Sequence, residues 1–92
     1  MMKAQIRQEA DQIILQVCGR LAEGWVAELE KCWDGAKSGH VGARFSIDLR
    51  GVTFIDPSGE RLLRRMHHEG ADLIASGLLI QEVVHRITGN SK

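Results

Sequence analysis

The sequence has one proline, two cysteines, no tyrosine and no excess of either charge among its 92 residues. Cys18 and Cys32 lack the density of a disulfide scaffold and the spacing of a zinc site, so both are predicted to be reduced and structural. Twelve basic side chains balance twelve acidic ones, which disfavours nucleic acid as a partner. No apolar run approaches the roughly 20 residues of a membrane span, and the polar start resembles no signal peptide. A cytoplasmic protein without direct membrane insertion is expected.

The length suits one compact domain, residues 1–92, since two separate cores would each be about half the usual size. Hydrophobic residues make up 43 % of the chain and charged residues 26 %, which is the composition of an ordinary globular protein. This composition excludes a disordered or fibrous chain.

Strands and helices are predicted from hydrophobic spacing. Alternating apolar residues predict strands at Ile13 to Cys18 and at Phe45 to Leu49, with a weaker strand around Ala4 to Arg7 and a short one within Ala71 to Ala75. Steps of three and four predict three helices: one over Ala22 to Ala36 with Trp25 and Trp33 packed in the core, one over Pro57 to Glu69, and one over Leu79 to Ile87 closed by Gly89. This order predicts an α/β fold with a mixed four-stranded sheet and helices mostly on one face.

The richest local chemistry lies where the strand ending near Ile55 meets the second helix. Asp56 suits the N-cap position, and Pro57 suits the first helical position because its missing N–H is not needed there. Ser58 and Gly59 then occupy the first turn, whose free N–H groups offer a place for a phosphate or a carboxylate. A well-capped helix with no further role remains the simpler interpretation.

The run from Ile47 to Gly59 resembles the STAS family, the domain of bacterial anti-sigma factor antagonists and of sulphate-transporter tails. That family has a similar strand, Val-x-Phe-hydrophobic-Asp segment and Gly-containing helix start. Further similarities are Gly19-Arg20-Leu21 before a helix, Gly70 to Leu73 before a strand, and a third helix that ends in glycine. The resemblance implies the STAS fold and a non-catalytic regulatory module that binds an anti-sigma factor or regulatory kinase.

In sigma-regulating members of the family, a kinase phosphorylates the first hydroxyl residue after the Asp, and the added charge releases the partner. Here that position is Pro57, so the resemblance implies that the switch is lost, and Ser58 is only a weak substitute acceptor. Ala22 also replaces an acidic residue that family members often carry. Members usually continue with another strand and helix, so an exposed sheet edge and a homodimer are further expectations.

The second helix carries a basic face that includes Arg61 and Arg65 and could meet an acidic partner, although balance by Glu60 and Glu69 is the stronger interpretation. The expected partner-binding residues are Asp56, Pro57, Ser58, Gly59, Arg61 and Arg65. His40, His67, His68 and His85 lack metal-ligand spacing, so no metal or other cofactor is expected.

No base is visible in the sequence beside Ser58, Cys18 or Cys32, and no phosphate-binding glycine loop is present, so no enzyme activity is expected. The alternative to an anti-sigma factor antagonist is an accessory subunit of a membrane transport complex, bound to its ATPase. A nucleotide or lipid bound at the helix start is a third, weaker interpretation.

Overall fold

A computed structural model describes residues 2–89, whose strands and helices occur in the predicted order. The strands are β1 (Met2–Glu9), β2 (Gln12–Leu21), β3 (Arg44–Ile55) and β4 (Asp72–Ile74), and the helices are α1 (Gly24–Gly39), α2 (Pro57–His68) and α3 (Leu78–Gly89). The sheet order is β1-β2-β3-β4, with β1 antiparallel to β2 and the other neighbours parallel. The predicted α/β class with a mixed four-stranded sheet is confirmed.

β2 and β3 are longer than predicted because glycine-containing irregularities interrupt their alternation without ending them. Gly19, with φ at 96°, lies at a register shift, and β2 continues past it to Leu21. Gly51 lies opposite Cys18, where a Cβ on residue 51 would stand 2.6 Å from the cysteine sulfur. Both glycines therefore lie within strands and do not mark strand ends: Gly19 takes the left-handed backbone of a bulge, and Gly51 allows β3 to approach Cys18 of β2.

The core lies on one face of the sheet. Side chains of β2 and β3 pack there against all three helices, in one cluster that includes Leu15, Val17, Ile47, Leu49, Leu29, Trp33, Leu63, Met66, Ile80 and Val83. Trp33 is fully buried and meets Phe45 edge to face, with ring centroids 5.2 Å apart. The predicted placement of the helices on one face is confirmed, as is the core position of Trp33.

The expected core position of Trp25 is wrong, and Leu79, at the predicted start of the third helix, also lies at the surface. Trp25 is 41 % exposed and Leu79 is 64 % exposed, because each lies at the margin of the buried face, about 100° around the helix from the packed residue that follows it. Val26 and Ile80, the next residues along, take the packed positions instead. Among residues 2–89, no helix has both the length and the apolar character to cross a membrane.

The other face of the sheet carries a buried carboxylate. Asp48 is 3 % exposed, and Arg50 closes over it with Nε and Nη2 each 3.0 Å from a carboxylate oxygen. The Arg50 hydrogen bond holds the pKa of Asp48 below its usual value. The helix-free face therefore has a satisfied ion pair at its centre, which keeps Asp48 charged where it is shielded from water.

Candidate functional site

Two strand-to-helix connections meet at one edge of the sheet. β2 ends at Leu21 before α1, and its parallel neighbour β3 ends at Ile55 before α2. The backbone N–H of Asp56 donates to the Leu21 carbonyl at 3.1 Å, which joins the two connections. We call this junction, residues 21–24 and 54–59, the corner.

The Asp56 carboxylate organises the corner. Its Oδ1 accepts from the Gly59 N–H at 2.7 Å, and its Oδ2 accepts from the Glu23 N–H at 3.0 Å. These two bonds, of which the Gly59 bond is the stronger influence, hold the pKa of Asp56 below its usual value. One side chain therefore caps α2 and also holds the residue that precedes α1, and the predicted N-cap at Asp56 with Pro57 in the first turn is confirmed.

Glu23 has a strained backbone at the start of α1. Its φ of 54° and ψ of −128° lie in a region that residues with a Cβ rarely adopt. Its N–H is the group that donates to Asp56. The Asp56 bond therefore helps to hold a conformation that costs about 1–3 kcal/mol for a residue other than glycine.

Gly59 is buried and contributes packing, not a surface for a partner. A Cβ built on residue 59 would lie 2.6 Å from the Leu21 carbonyl oxygen and 3.2 Å from Cγ2 of Ile55. The α2 backbone can approach β2 this closely only because the residue has no side chain. The expectation that Gly59 contacts a partner is therefore not supported, because the residue is buried.

Ser58 is half-buried, and its hydroxyl donates to Asp56 Oδ1 at 2.8 Å. The statement that no base lies beside Ser58 is therefore wrong: strand end and helix start bring a carboxylate to it. The lowered pKa of Asp56 makes that carboxylate a poor proton acceptor, because its charge is already stabilised by two backbone N–H groups.

Most of the basic face on α2 is used inside the molecule. Arg65 pairs with Glu30, with Asp34 at 2.7 Å and with Glu69 at 3.2 Å, and so links α2 to α1. Arg64 and Arg86 both pair with Glu60, at 3.0 Å and 2.7 Å. Arg65 is therefore a poor candidate for contact with a partner, and the balance expected from the acidic residues of α2 is present.

Arg61 differs from its neighbours on α2. It is exposed, and within residues 2–89 it has no hydrogen bond or ion pair. It lines a groove of about 240 Å³ between α1 and α2, together with Val26, Ser58, Leu62, Glu30 and Arg65. An unpaired guanidinium therefore lines the same groove as Ser58, whose hydroxyl donates to the Asp56 cap.

Two large apolar side chains lie in the corner or directly next to it, and sequence reasoning missed both as surface residues. Trp25 is 41 % exposed at the start of α1, and Phe54 is 37 % exposed at the end of β3 with the Arg20 guanidinium 4.6 Å above its ring. Their place in the sequence could have indicated this exposure, since each residue lies within two residues of the end of a strand or helix. Exposed aromatic rings beside a cation are typical of protein-binding surfaces.

The remaining reactive side chains stay dispersed. Cys18 and Cys32 are not joined in a disulfide, and both are partly buried. Across residues 2–89, no three histidine, cysteine, aspartate or glutamate side chains come together in a group that could hold a metal ion.

Replacement of Asp56 by alanine is expected to lower the free energy of unfolding by about 1 kcal/mol, because α2 loses its cap. The loss should be larger at neutral pH than in acid, since a carboxylate whose pKa is lowered on folding stabilises the fold only while it is ionised. Urea denaturation of D56A and of S58A measures this difference. S58A, which keeps both backbone bonds to Asp56, should stay within about 0.5 kcal/mol of the parent, and equal losses in the two variants would contradict the assignment.

A search of solved structures finds proteins whose overall fold is similar to that of this chain. An anti-sigma factor antagonist from Mycobacterium paratuberculosis superposes with a TM-score of 0.83 at 17 % identity, over 97 % of this chain and 79 % of that one. The chain has the STAS fold. SpoIIAA, an anti-sigma factor antagonist in its unphosphorylated form, matches with a TM-score of 0.56 at 18 % identity, over 95 % of this chain and 99 % of that one.

A third structure, described as Mglu, matches with a TM-score of 0.59 at 22 % identity, over 80 % of this chain and 19 % of that one. No protein-family model matches the sequence, and no curated protein matches it. The resemblance to the STAS family drawn from Ile47 to Gly59 is confirmed at the level of the fold.

Proposed function

We propose that this STAS-fold chain is a non-catalytic regulatory module that binds a protein partner, an anti-sigma factor or a related regulatory kinase. The binding surface consists of Trp25, Phe54, Pro57, Ser58 and Arg61, and we call it the corner surface. The observation that carries the proposal is the exposure of three side chains close to the Asp56 cap along the chain. Phe54 stands two residues before Asp56, Trp25 stands two residues after the Glu23 that donates to it, and the unpaired Arg61 lines a groove with Ser58. Aromatic and arginine side chains are the residue types that dominate binding energy in protein interfaces.

The corner surface is also preorganised. Asp56 fixes the starts of both α1 and α2 through backbone bonds of 3.0 Å and 2.7 Å, so the residues on them are held before a partner arrives. A surface that is ordered in advance loses little conformational freedom on binding. Likeness to two anti-sigma factor antagonists supports this class of partner.

Binding is proposed to be independent of phosphorylation at the position that follows Asp56. Pro57 has no hydroxyl there, and the Ser58 hydroxyl already donates to Asp56. A phosphate on Ser58 would stand beside the Asp56 carboxylate, and two like charges so close repel each other. In this proposal, the amount of available partner, and not phosphorylation of this chain, determines how much complex forms.

The test of binding uses a purified anti-sigma factor kinase encoded in the same genome and isothermal titration calorimetry. W25A and R61E are each expected to weaken binding by about tenfold or more. V41A is the matched control: Val41 is 90 % exposed and precedes β3, whereas the corner follows β3. Equal affinity of all three variants and the parent would contradict the corner surface.

The absence of a phosphorylation switch is tested with the same kinase and ATP. Intact-mass spectrometry of the parent and of S58A should show no phosphate on either protein. A stoichiometric phosphate on the parent that is absent from S58A would show that Ser58 is the acceptor and would refute this part of the proposal.

A further inference from the structure

β1 is an open sheet edge. It is the outermost strand in the order β1-β2-β3-β4, it pairs residue for residue with β2 over Met2 to Glu9, and no bulge or proline interrupts it. Six of its eight residues are exposed, including Ile6 at 49 %. Every second residue along such a strand turns its N–H and C=O groups outward, where another strand can pair with them.

The charges on β1 also lack partners across the strand. Lys3 lies opposite Cys18 of β2, and Glu9 lies opposite Gln12. Within residues 2–89, the one ion pair of Glu9 is a solvent-exposed pair with Arg7 of its own strand, at 3.1 Å, and such pairs contribute little. Lys3 lies near one end of β1 and Glu9 lies at the other. When two copies of β1 pair in antiparallel direction, the Lys3 end of each strand lies beside the Glu9 end of the other, so the opposite charges meet.

The alternation of side chains limits how two copies can pair. A two-fold axis perpendicular to the sheet keeps the helices of both copies on the same side, so residues of one face must oppose residues of the same face. In each permitted register, therefore, one residue of β1 lies on the two-fold axis, directly opposite the same residue of the second copy.

Of the three registers centred on Gln5, Ile6 or Arg7, one places opposite charges opposite each other and also pairs apolar side chains. Centring on Gln5 places Lys3 opposite Arg7 of the second copy, and centring on Arg7 places the two Arg7 side chains against each other. Centring on Ile6 places Ile6 against Ile6 and Lys3 opposite Glu9, twice by symmetry. Opposite charges and apolar pairs across strands stabilise a sheet, and like charges destabilise it.

We propose that a second copy of this chain binds along β1, in antiparallel register centred on Ile6, and forms a continuous eight-stranded sheet. This interface is separate from the corner surface, since β2 stands between β1 and β3. The proposal does not depend on the proposed function, and either can fail alone.

Sedimentation equilibrium of the full chain up to millimolar concentration gives the first test. The expected mass is twice the 10.2 kDa of one chain. K3E alone and E9K alone should each weaken the dimer about tenfold, because each places like charges opposite each other at both symmetric positions. An equimolar mixture of K3E and E9K should recover the parent's dimer, since every pair in the mixed dimer is again of opposite charge.

The matched control removes the effect of net charge. K31E and E28K change the charge of the chain by the same amounts, at exposed positions of α1. Neither should alter the dimer, alone or mixed. The proposal is refuted if the parent is monomeric at millimolar concentration, if the K3E and E9K mixture is no tighter than either variant alone, or if the α1 variants behave in the same way as the β1 variants.

Discussion

Replacement of Gly59 by alanine is expected to lower the free energy of unfolding by about 3 kcal/mol, which is at the upper end of the usual range for overpacking. A Cβ at this residue would lie 2.6 Å from the Leu21 carbonyl oxygen, which is closer than real contacts allow. The atom in the way belongs to the backbone of β2, and the same carbonyl accepts the N–H of Asp56, so it cannot move without loss of that bond. Thermal and urea denaturation measure the effect.

Gly35→Ala is the matched control for Gly59→Ala. Gly35 is exposed within α1, and a Cβ built there would have no atom of residues 2–89 within 4 Å apart from its chain neighbours and the backbone of its own helix. Because alanine favours the helix over glycine, G35A should raise the free energy of unfolding by about 0.5–1 kcal/mol. If G59A lowers the free energy of unfolding and G35A raises it, the difference follows from the contact between residue 59 and Leu21. A G59A protein as stable as the parent would show that α2 does not pack this closely against β2.

The corner was predictable from sequence because its determinants are local. Asp56 as N-cap and Pro57 in the first turn follow from which backbone N–H groups a helix start leaves free, and both were confirmed. The mixed sheet followed in the same way, since strands joined by a helical crossover run parallel. The bond from Glu23 to Asp56 could not be predicted, because it depends on two connections meeting 33 residues apart.

The role of individual surface residues was less predictable. Arg61 and Arg65 lie four residues apart on α2 and look equivalent in the sequence, yet Arg65 is held by acidic residues of α1 and Arg61 is not. Trp25 fits the apolar spacing of α1 but lies at the margin of the packed face, which Val26, Leu29 and Trp33 occupy. Periodicity identifies the apolar face of a helix, and only the packed structure shows how much of that face is buried.

Removal of Glu69 is the second substitution for which a large loss is expected. Trp33 is buried among the core residues, and its indole N–H donates to Glu69 Oε1 at 2.8 Å. Lys37 and Arg65 contact the same carboxylate. E69A leaves the indole N–H without this acceptor and should lower the free energy of unfolding by about 2 kcal/mol, the penalty for an unsatisfied polar group. E69Q keeps an oxygen within reach of the indole and should be milder.

The pH dependence measures what the negative charge of Glu69 contributes to stability, through its ion pairs and through the hydrogen bond from Trp33. The Lys37 ammonium, then the Trp33 indole N–H, lower the pKa of Glu69 from 4.5 to about 2. A carboxyl group whose pKa falls on folding stabilises the fold above its unfolded pKa, and this contribution is lost as the pH drops through the folded one. Because the side chain is one-third exposed, solvent screening limits the contribution to on the order of 1 kcal/mol.

The difference in free energy of unfolding between the parent and E69Q is therefore expected to be constant near neutral pH and to shrink between pH 4.5 and pH 2. Other carboxylates with lowered pKa, such as Asp48 and Asp56, titrate in both proteins and cancel in the difference. Urea denaturation followed by fluorescence in a W25F background reports on Trp33 alone, since the chain has two tryptophans. A difference that stays the same down to pH 2 would mean that Glu69 supports Trp33 as a hydrogen-bond acceptor only, and that its ion pairs with Lys37 and Arg65 add nothing to stability.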